Sequence, residues 1–144
     1  MSNLRTRHHT WLISGKCFQV SGQIIPIEKV KDEAFAKKMM GDGVAIVPSD
    51  DYIVSPCDGT VSMLYPTLHA FAVTSEDGMD ILIHIGIDTV ELKGKPFKTK
   101  VKVGDHVKQG DLLTVVDWKY IQKKGKDYLY QIGKVSFNNY TKLK

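Results

Sequence analysis

Residues 67–87 read Thr67-Leu68-His69-Ala70-Phe71-Ala72-Val73-Thr74-Ser75-Glu76-Asp77-Gly78-Met79-Asp80-Ile81-Leu82-Ile83-His84-Ile85-Gly86-Ile87. From Met79 onward the apolar residues alternate. Ile81, Ile83, Ile85 and Ile87 share one face, while Asp80, Leu82, His84 and Gly86 share the other. A period of two marks a strand with one face in a core. Thr67 to Thr74 supplies a second strand, and Ser75-Glu76-Asp77-Gly78 the turn between them. If those four residues are the loop, Thr74 pairs with Met79, and antiparallel counting sets His69 opposite His84. Their Cβ atoms would then lie roughly 4.5–5.5 Å apart on one face. A slip of one residue would put them on opposite faces. His84 is expected on the side away from the isoleucines, towards solvent, with Gly86 leaving open space beside it.

The flanking sequence repeats this pattern of short apolar runs cut by turn residues. Val44 to Pro48, Tyr52 to Val54 and Val61 to Leu64 read as strands, separated by Ser49-Asp50-Asp51 and Cys57-Asp58-Gly59-Thr60. Val101 to Leu113 holds two more short strands around Gly-Asp turns. Gln23 to Ile27 is a strand interrupted by Pro26, hence an edge. Lys31 to Met40 allows a helical turn or two, ended by Gly41-Asp42-Gly43. Beyond that point only strands and turns are expected. The fold class is therefore all-β, an antiparallel β-sandwich or barrel-sandwich with short helical turns. The expected organisation is a poorly patterned arm over residues 1–18, one domain over 19–126 and a divergent segment over 127–144.

Composition narrows the function classes. The 144 residues suffice for one domain, and 42% hydrophobic with 25% charged residues is ordinary for a globular protein. The formal charge of +4 is mild, and aromatic residues are not spaced for base stacking, so nucleic acid is not an expected partner. Cys17 and Cys57 match no metal-knuckle spacing and fit a reducing cytoplasm. Trp11 to Ile13 is too short for a secretory or membrane-spanning segment. No strand-turn-helix phosphate loop occurs.

Two facing imidazoles could share one small anionic group or one metal ion. Equally, they could be a cross-strand pair satisfied by hydroxyls. Asp88, four residues beyond His84, and Thr67, two before His69, favour a site.

Several segments follow one another in a telling order: Asp32-Glu33-Ala34-Phe35-Ala36, Gly41-Asp42-Gly43-Val44-Ala45, Ser55-Pro56-Cys57-Asp58-Gly59, Thr67-Leu68-His69-Ala70, and His84-Ile85-Gly86-Ile87-Asp88-Thr89-Val90-Glu91-Leu92-Lys93-Gly94. Together they resemble the glucose-type enzyme IIA of the bacterial phosphoenolpyruvate-dependent sugar phosphotransferase system, from about Gly22 to Gly125. The run from His84 to Gly94 is the most specific part.

The resemblance implies a phosphocarrier. His84 would accept a phosphoryl group on Nε2 from the histidine phosphocarrier protein and pass it to a sugar-specific enzyme IIB domain. His69 would contact the phosphoryl oxygens, and Thr67 would hold an imidazole in its tautomer. Asp32 and Asp88 would rim the site. Phe35, Met39, Met40, Tyr65, Leu82 and Val90 would meet the partners, which suits the adaptability of exposed Met and aromatic side chains. Contact with a membrane would come only through the permease complex. No cofactor is required, although zinc could bridge His69 and His84 if a partner added a carboxylate. An alternative within the resemblance is a regulatory docking protein that transfers nothing. A lipoyl-type carrier is excluded because neither Ser75 to Gly78 nor Gly104-Asp105 offers a lysine at a hairpin tip.

Overall fold

The computed structural model describes residues 8–13, 16–26, 43–86, 89–126 and 129–134. The strands are β1 (His8–Ile13), β2 (Lys16–Pro26), β3 (Gly43–Pro48), β4 (Tyr52–Val54), β5 (Gly59–Leu64), β6 (Ala70–Ser75), β7 (Asp80–Ile85), β8 (Phe97–Thr99), β9 (His106–Val107), β10 (Leu112–Val116) and β11 (Tyr130–Lys134). An eight-stranded sheet runs β1-β2-β3-β11-β7-β6-β5-β9, and a three-stranded sheet runs β4-β10-β8. Every pairing among these strands is antiparallel. The all-β reading is thus what the chain adopts.

The isoleucine alternation does what its period dictates. Ile81, Ile83 and Ile85 enter one buried cluster with Phe71 and Val73 of β6 and Tyr130 and Ile132 of β11. Ile53, Phe97, Leu113 and Val116 reach the same cluster from the smaller sheet. Burying a side chain of this size contributes about 1.5–3 kcal/mol, so the inner faces of β6, β7 and β11 anchor the fold.

Two features depart from the sequence reading, at the two ends of the chain, while the edge expected at Pro26 is matched. The arm is not without pattern: His8–Ile13 pairs residue by residue with Lys16–Ser21. Pro26 closes β2 opposite Val44, and over residues 22–26 that strand has β3 as its one neighbour among the described residues. The segment over 127–144, set apart as divergent, contributes a strand to the domain, because β11 lies between β3 and β7 in the large sheet. That strand pairs with β3 on one side and β7 on the other.

The expectation of strands and turns alone after residue 43 also needs correcting. A 3-10 turn spans Thr89–Leu92, and helix α1 spans Trp118–Lys123. Asp117 caps α1 by accepting from the Tyr120 backbone N–H. Trp118 and Ile121 are its buried side chains and Tyr120 packs partly against the core, but six residues are too short a run for periodicity to register. The candidate helix at Lys31 to Met40 lies outside the described residues.

Candidate functional site

β7 places His84 between two neighbouring strands, β6 and β11. Its flanking residues Ile83 and Ile85 fill the core, so its own half-buried side chain projects from the opposite face. The imidazole is held from just beyond the strand end, where Nδ1 lies 3.1 Å from the Gly86 carbonyl oxygen. A carbonyl can only accept, so Nδ1 carries the proton and the ring's lone pair lies on Nε2.

Gly86 is required in that role. Its φ is +74°, and a Cβ there would come within 2.4 Å of Thr89 Cγ2. The space that a side chain at position 86 would take is therefore not open, as the sequence suggested, but filled by Thr89. That buried residue donates its hydroxyl hydrogen to the Ile85 carbonyl.

The hairpin register differs from the expected one. Thr74 pairs with Asp80, and Ala70 rather than His69 is the Cα partner of His84. The cause is the loop. Ser75 N donates to Met79 O at 2.8 Å and Gly78 N to Ser75 O at 2.9 Å, so three residues, not four, lie between the closing pair. Gly78 takes a φ of +91°, as the third residue of such loops often does.

By this register, strand alternation would send His69 into the core. It does not, because residues 66–69 have left the strand. Leu68 adopts a left-handed φ of +64°, unusual for a branched side chain. The turn is closed by Leu68 N donating to Tyr65 O at 2.8 Å. The His69 ring consequently lies 5.0 Å from the His84 ring, centroid to centroid, at an interplanar angle of 85°. The two histidines do meet, by a different route from the one the spacing suggested.

His69 is 4% exposed. Its Nδ1 is 2.7 Å from Thr67 Oγ1, and its ring makes an edge contact with Tyr65 at 5.0 Å and 88°. Burial, reinforced by the neighbouring His84, pushes its imidazole down to about 4. It is therefore neutral near pH 7, with one ring proton to donate. If the Thr67 hydroxyl donates to Nδ1, that proton resides on Nε2.

Thr67 and Tyr65 are both half-buried beside His69, and Val90 is 43% exposed on the 3-10 turn that follows β7. Leu82 shares the His84 face of β7 but is only 2% exposed, so it offers no apolar surface to a partner here. Asp32, Phe35, Met39, Met40 and Asp88 lie outside the described residues. No group of three or more His, Cys, Asp or Glu side chains able to hold a metal occurs among the described residues. A zinc ion would find two imidazoles and need further ligands from elsewhere, since structural and catalytic sites usually take at least three protein ligands. The sequence reading missed the Gly86 carbonyl, the closeness of Thr89 and the turn at Leu68. It also missed Gln131, which lies across the ladder from His84. The positive φ at Gly86 was signalled by the glycine itself; nothing in the sequence signalled the others.

The chain matches the family model described as phosphoenolpyruvate-dependent sugar phosphotransferase system, EIIA 1, over residues 17–139. It is 50% identical over 106 residues to the PTS system glucose-specific EIICBA component of Streptococcus pneumoniae serotype 4, a match covering 74% of this chain and 15% of that protein. It is 43% identical over 125 residues to the PTS system glucose-specific EIIA component of Buchnera aphidicola subsp. Acyrthosiphon pisum, covering 87% of this chain and 78% of the relative. Among solved structures, glucose permease IIA from Mycoplasma capricolum superposes with a TM-score of 0.75 at 39% identity, covering 78% of this chain and 73% of that one. The chain thus spans a small part of the fused relative and most of the stand-alone one. No helix among the described residues is long and apolar enough to cross a membrane.

Proposed function

Because the chain belongs to the EIIA 1 family of the phosphoenolpyruvate-dependent sugar phosphotransferase system, we propose that its phosphocarrier chemistry runs through Nε2 of His84. The histidine phosphocarrier protein is the donor in this reading, and a sugar-specific enzyme IIB domain the acceptor. The observation that carries it is the 3.1 Å contact between His84 Nδ1 and the Gly86 carbonyl, which leaves the nucleophilic lone pair on Nε2.

In the forward step that lone pair forms a new P–N bond. The P–N bond to the donor's imidazole breaks, and its electron pair returns to the donor nitrogen. The Nδ1 proton stays against the Gly86 carbonyl, whose dipole offsets the positive charge developing on the ring. His69, neutral and 5.0 Å away ring to ring, supplies an N–H towards the phosphoryl oxygens. Phosphoryl transfer asks for such positioning and charge stabilisation more than for covalent chemistry by the protein. Onward transfer reverses these roles.

Partner recognition in this reading combines an acidic rim, Asp32 and Asp88, with apolar side chains at Phe35, Met39, Met40, Tyr65 and Val90. The rim would orient a basic group on the incoming carrier, and its effect would fall with salt. The cycle needs no metal; zinc would bind His69 and His84 only with a carboxylate from a partner. The protein would act in the cytoplasm, and glucose, the sugar named in the relatives, is the natural first choice for transport assays. Incubation with phosphoenolpyruvate, enzyme I and the histidine phosphocarrier protein, followed by intact mass measurement, tests the core of this reading. One acid-labile phosphoryl group should appear on the wild type and none on His84→Ala. Label on the variant would remove the assignment.

A further inference from the structure

β11 carries a polar side chain that the phosphocarrier reading does not use. Gln131 is the Cα partner of His84 on one side and of Ala45 on the other. Its neighbours Tyr130 and Ile132 belong to the core cluster. Gln131 therefore projects from the opposite face, the one His84 occupies. Directly opposed residues of an antiparallel pair place their Cβ atoms roughly 4.5–5.5 Å apart, so the amide and the imidazole are side-by-side neighbours.

Gln131 is 1% exposed, and neither Nε2 nor Oε1 has a hydrogen-bond partner among the described residues. Buried amides are almost always satisfied in native proteins, because desolvation without a partner is destabilising. A methionine has similar length and would fill the same space without that penalty. An unsatisfied amide beside a reactive imidazole is explained if another state of the protein supplies its acceptor.

We propose that Gln131 is a phosphoryl-binding residue, its buried and unpartnered side-chain amide donating Nε2–H to the phosphoryl group that His84 carries across the β7–β11 ladder. The inference rests on the phosphohistidine reading and deepens it. A phosphoryl group on His84 Nε2 brings three anionic oxygens to this face, and of the two ends of the amide only the NH2 suits an anion. No proton or bond changes hands at Gln131. The amide stabilises the charge of the phosphorylated state, in a place where water is excluded and hydrogen bonds to charge are strong.

The test uses the full chain, with Gln131→Met and inorganic phosphate as a control ligand. The distribution of phosphoryl groups between the histidine phosphocarrier protein and this chain is measured at equilibrium by mass spectrometry. Gln131→Met should shift it about tenfold towards the carrier, the effect of one hydrogen bond to a charged group. Before phosphorylation the variant should be as heat-stable as the wild type or more so. In the wild type, the side-chain NH2 resonances of Gln131 should move on phosphorylation and stay still with inorganic phosphate alone. Wild type labelled on His84, with an unchanged distribution in Gln131→Met and unmoved NH2 resonances, overturns this proposal and leaves the phosphohistidine reading standing. Failure of the wild type to take up label at His84 overturns both.

Discussion

His69 and His84 meet ring to ring at 5.0 Å although they are not cross-strand partners; Ala70 occupies that position. The contact depends on the turn at residues 65–68 and on the left-handed Leu68, at φ +64°. Strain of this kind costs of order 1–3 kcal/mol and persists where the surroundings hold it. Here it turns a histidine that strand alternation would send into the core towards the face that His84 occupies.

The first prediction concerns what His69 contributes. On the proposed reading His69→Gln should still accept the phosphoryl group on His84, because the Gly86 carbonyl and not His69 holds the His84 Nδ1 proton. Onward transfer should slow by roughly a hundredfold, the usual cost of losing one donor to a charged transition state. Single-turnover transfer to enzyme IIB would measure it. Wild-type rates in both directions would mean that the ring contact is only packing.

On the proposed reading Thr67 would act one step further out, through His69. Its hydroxyl lies 2.7 Å from His69 Nδ1, so Thr67→Val should leave phosphorylation intact and slow onward transfer by about fivefold to tenfold, the worth of one neutral hydrogen bond. Thr67→Ser should restore the rate if the hydroxyl rather than the methyl group holds the His69 ring. If serine fails to rescue, shape rather than hydrogen bonding explains the position.

How much of this was legible in the sequence can be judged at single residues. The isoleucines at 81, 83 and 85 declared the core face, because period two is a local property of β-structure. The pairing of two histidines was legible as an outcome but not as geometry. One residue in the loop count shifts the register, and only backbone dihedrals show that Leu68 compensates for it. β11 escaped notice because Tyr130-Gln131-Ile132-Gly133 is short and its importance comes from non-local partners, β3 and β7. Propensity cannot report where in a sheet a strand will sit.

The depressed His69 sets a pH dependence. An exposed histidine in the unfolded chain titrates near 6.5, whereas His69 in the folded chain titrates near 4. Between these values the unfolded state binds the extra proton, so stability is full above about pH 6.5 and falls as pH drops towards 4. Urea denaturation of the metal-free protein at pH 7.5 and pH 5 should show this loss, and His69→Gln should lose less over the same interval. Equal losses in the two proteins would assign the pH sensitivity elsewhere.

Gly86→Ala tests the tautomer clamp. The backbone φ of +74° disfavours alanine, and the new Cβ would overlap Thr89 at 2.4 Å. A destabilisation of at least about 1–3 kcal/mol is expected from the backbone alone, visible in the denaturant midpoint. The carbonyl that holds His84 Nδ1 should move with it, so phosphorylation of the folded fraction should slow as well. A variant that is destabilised yet phosphorylated at the wild-type rate would show that the clamp tolerates displacement.

Truncation after Lys126 separates two views of the C-terminal segment. A peripheral tail could be removed with little effect. β11 is not peripheral: Tyr130 and Ile132 are 2% and 3% exposed within the core cluster, and the strand pairs with β7 on one side and β3 on the other. Losing those two side chains alone removes about 1.5–3 kcal/mol each, against a net stability of roughly 5–15 kcal/mol for an ordinary domain. The backbone groups of β3 and β7 would lose their partners at the same time, leaving two open strand edges in mid-sheet, a known route to aggregation. The truncated chain should therefore be insoluble, or lack a cooperative thermal transition. Circular dichroism melting of the soluble fraction would decide the matter: a folded, cooperative truncation product would show that β3 and β7 can close on each other without β11.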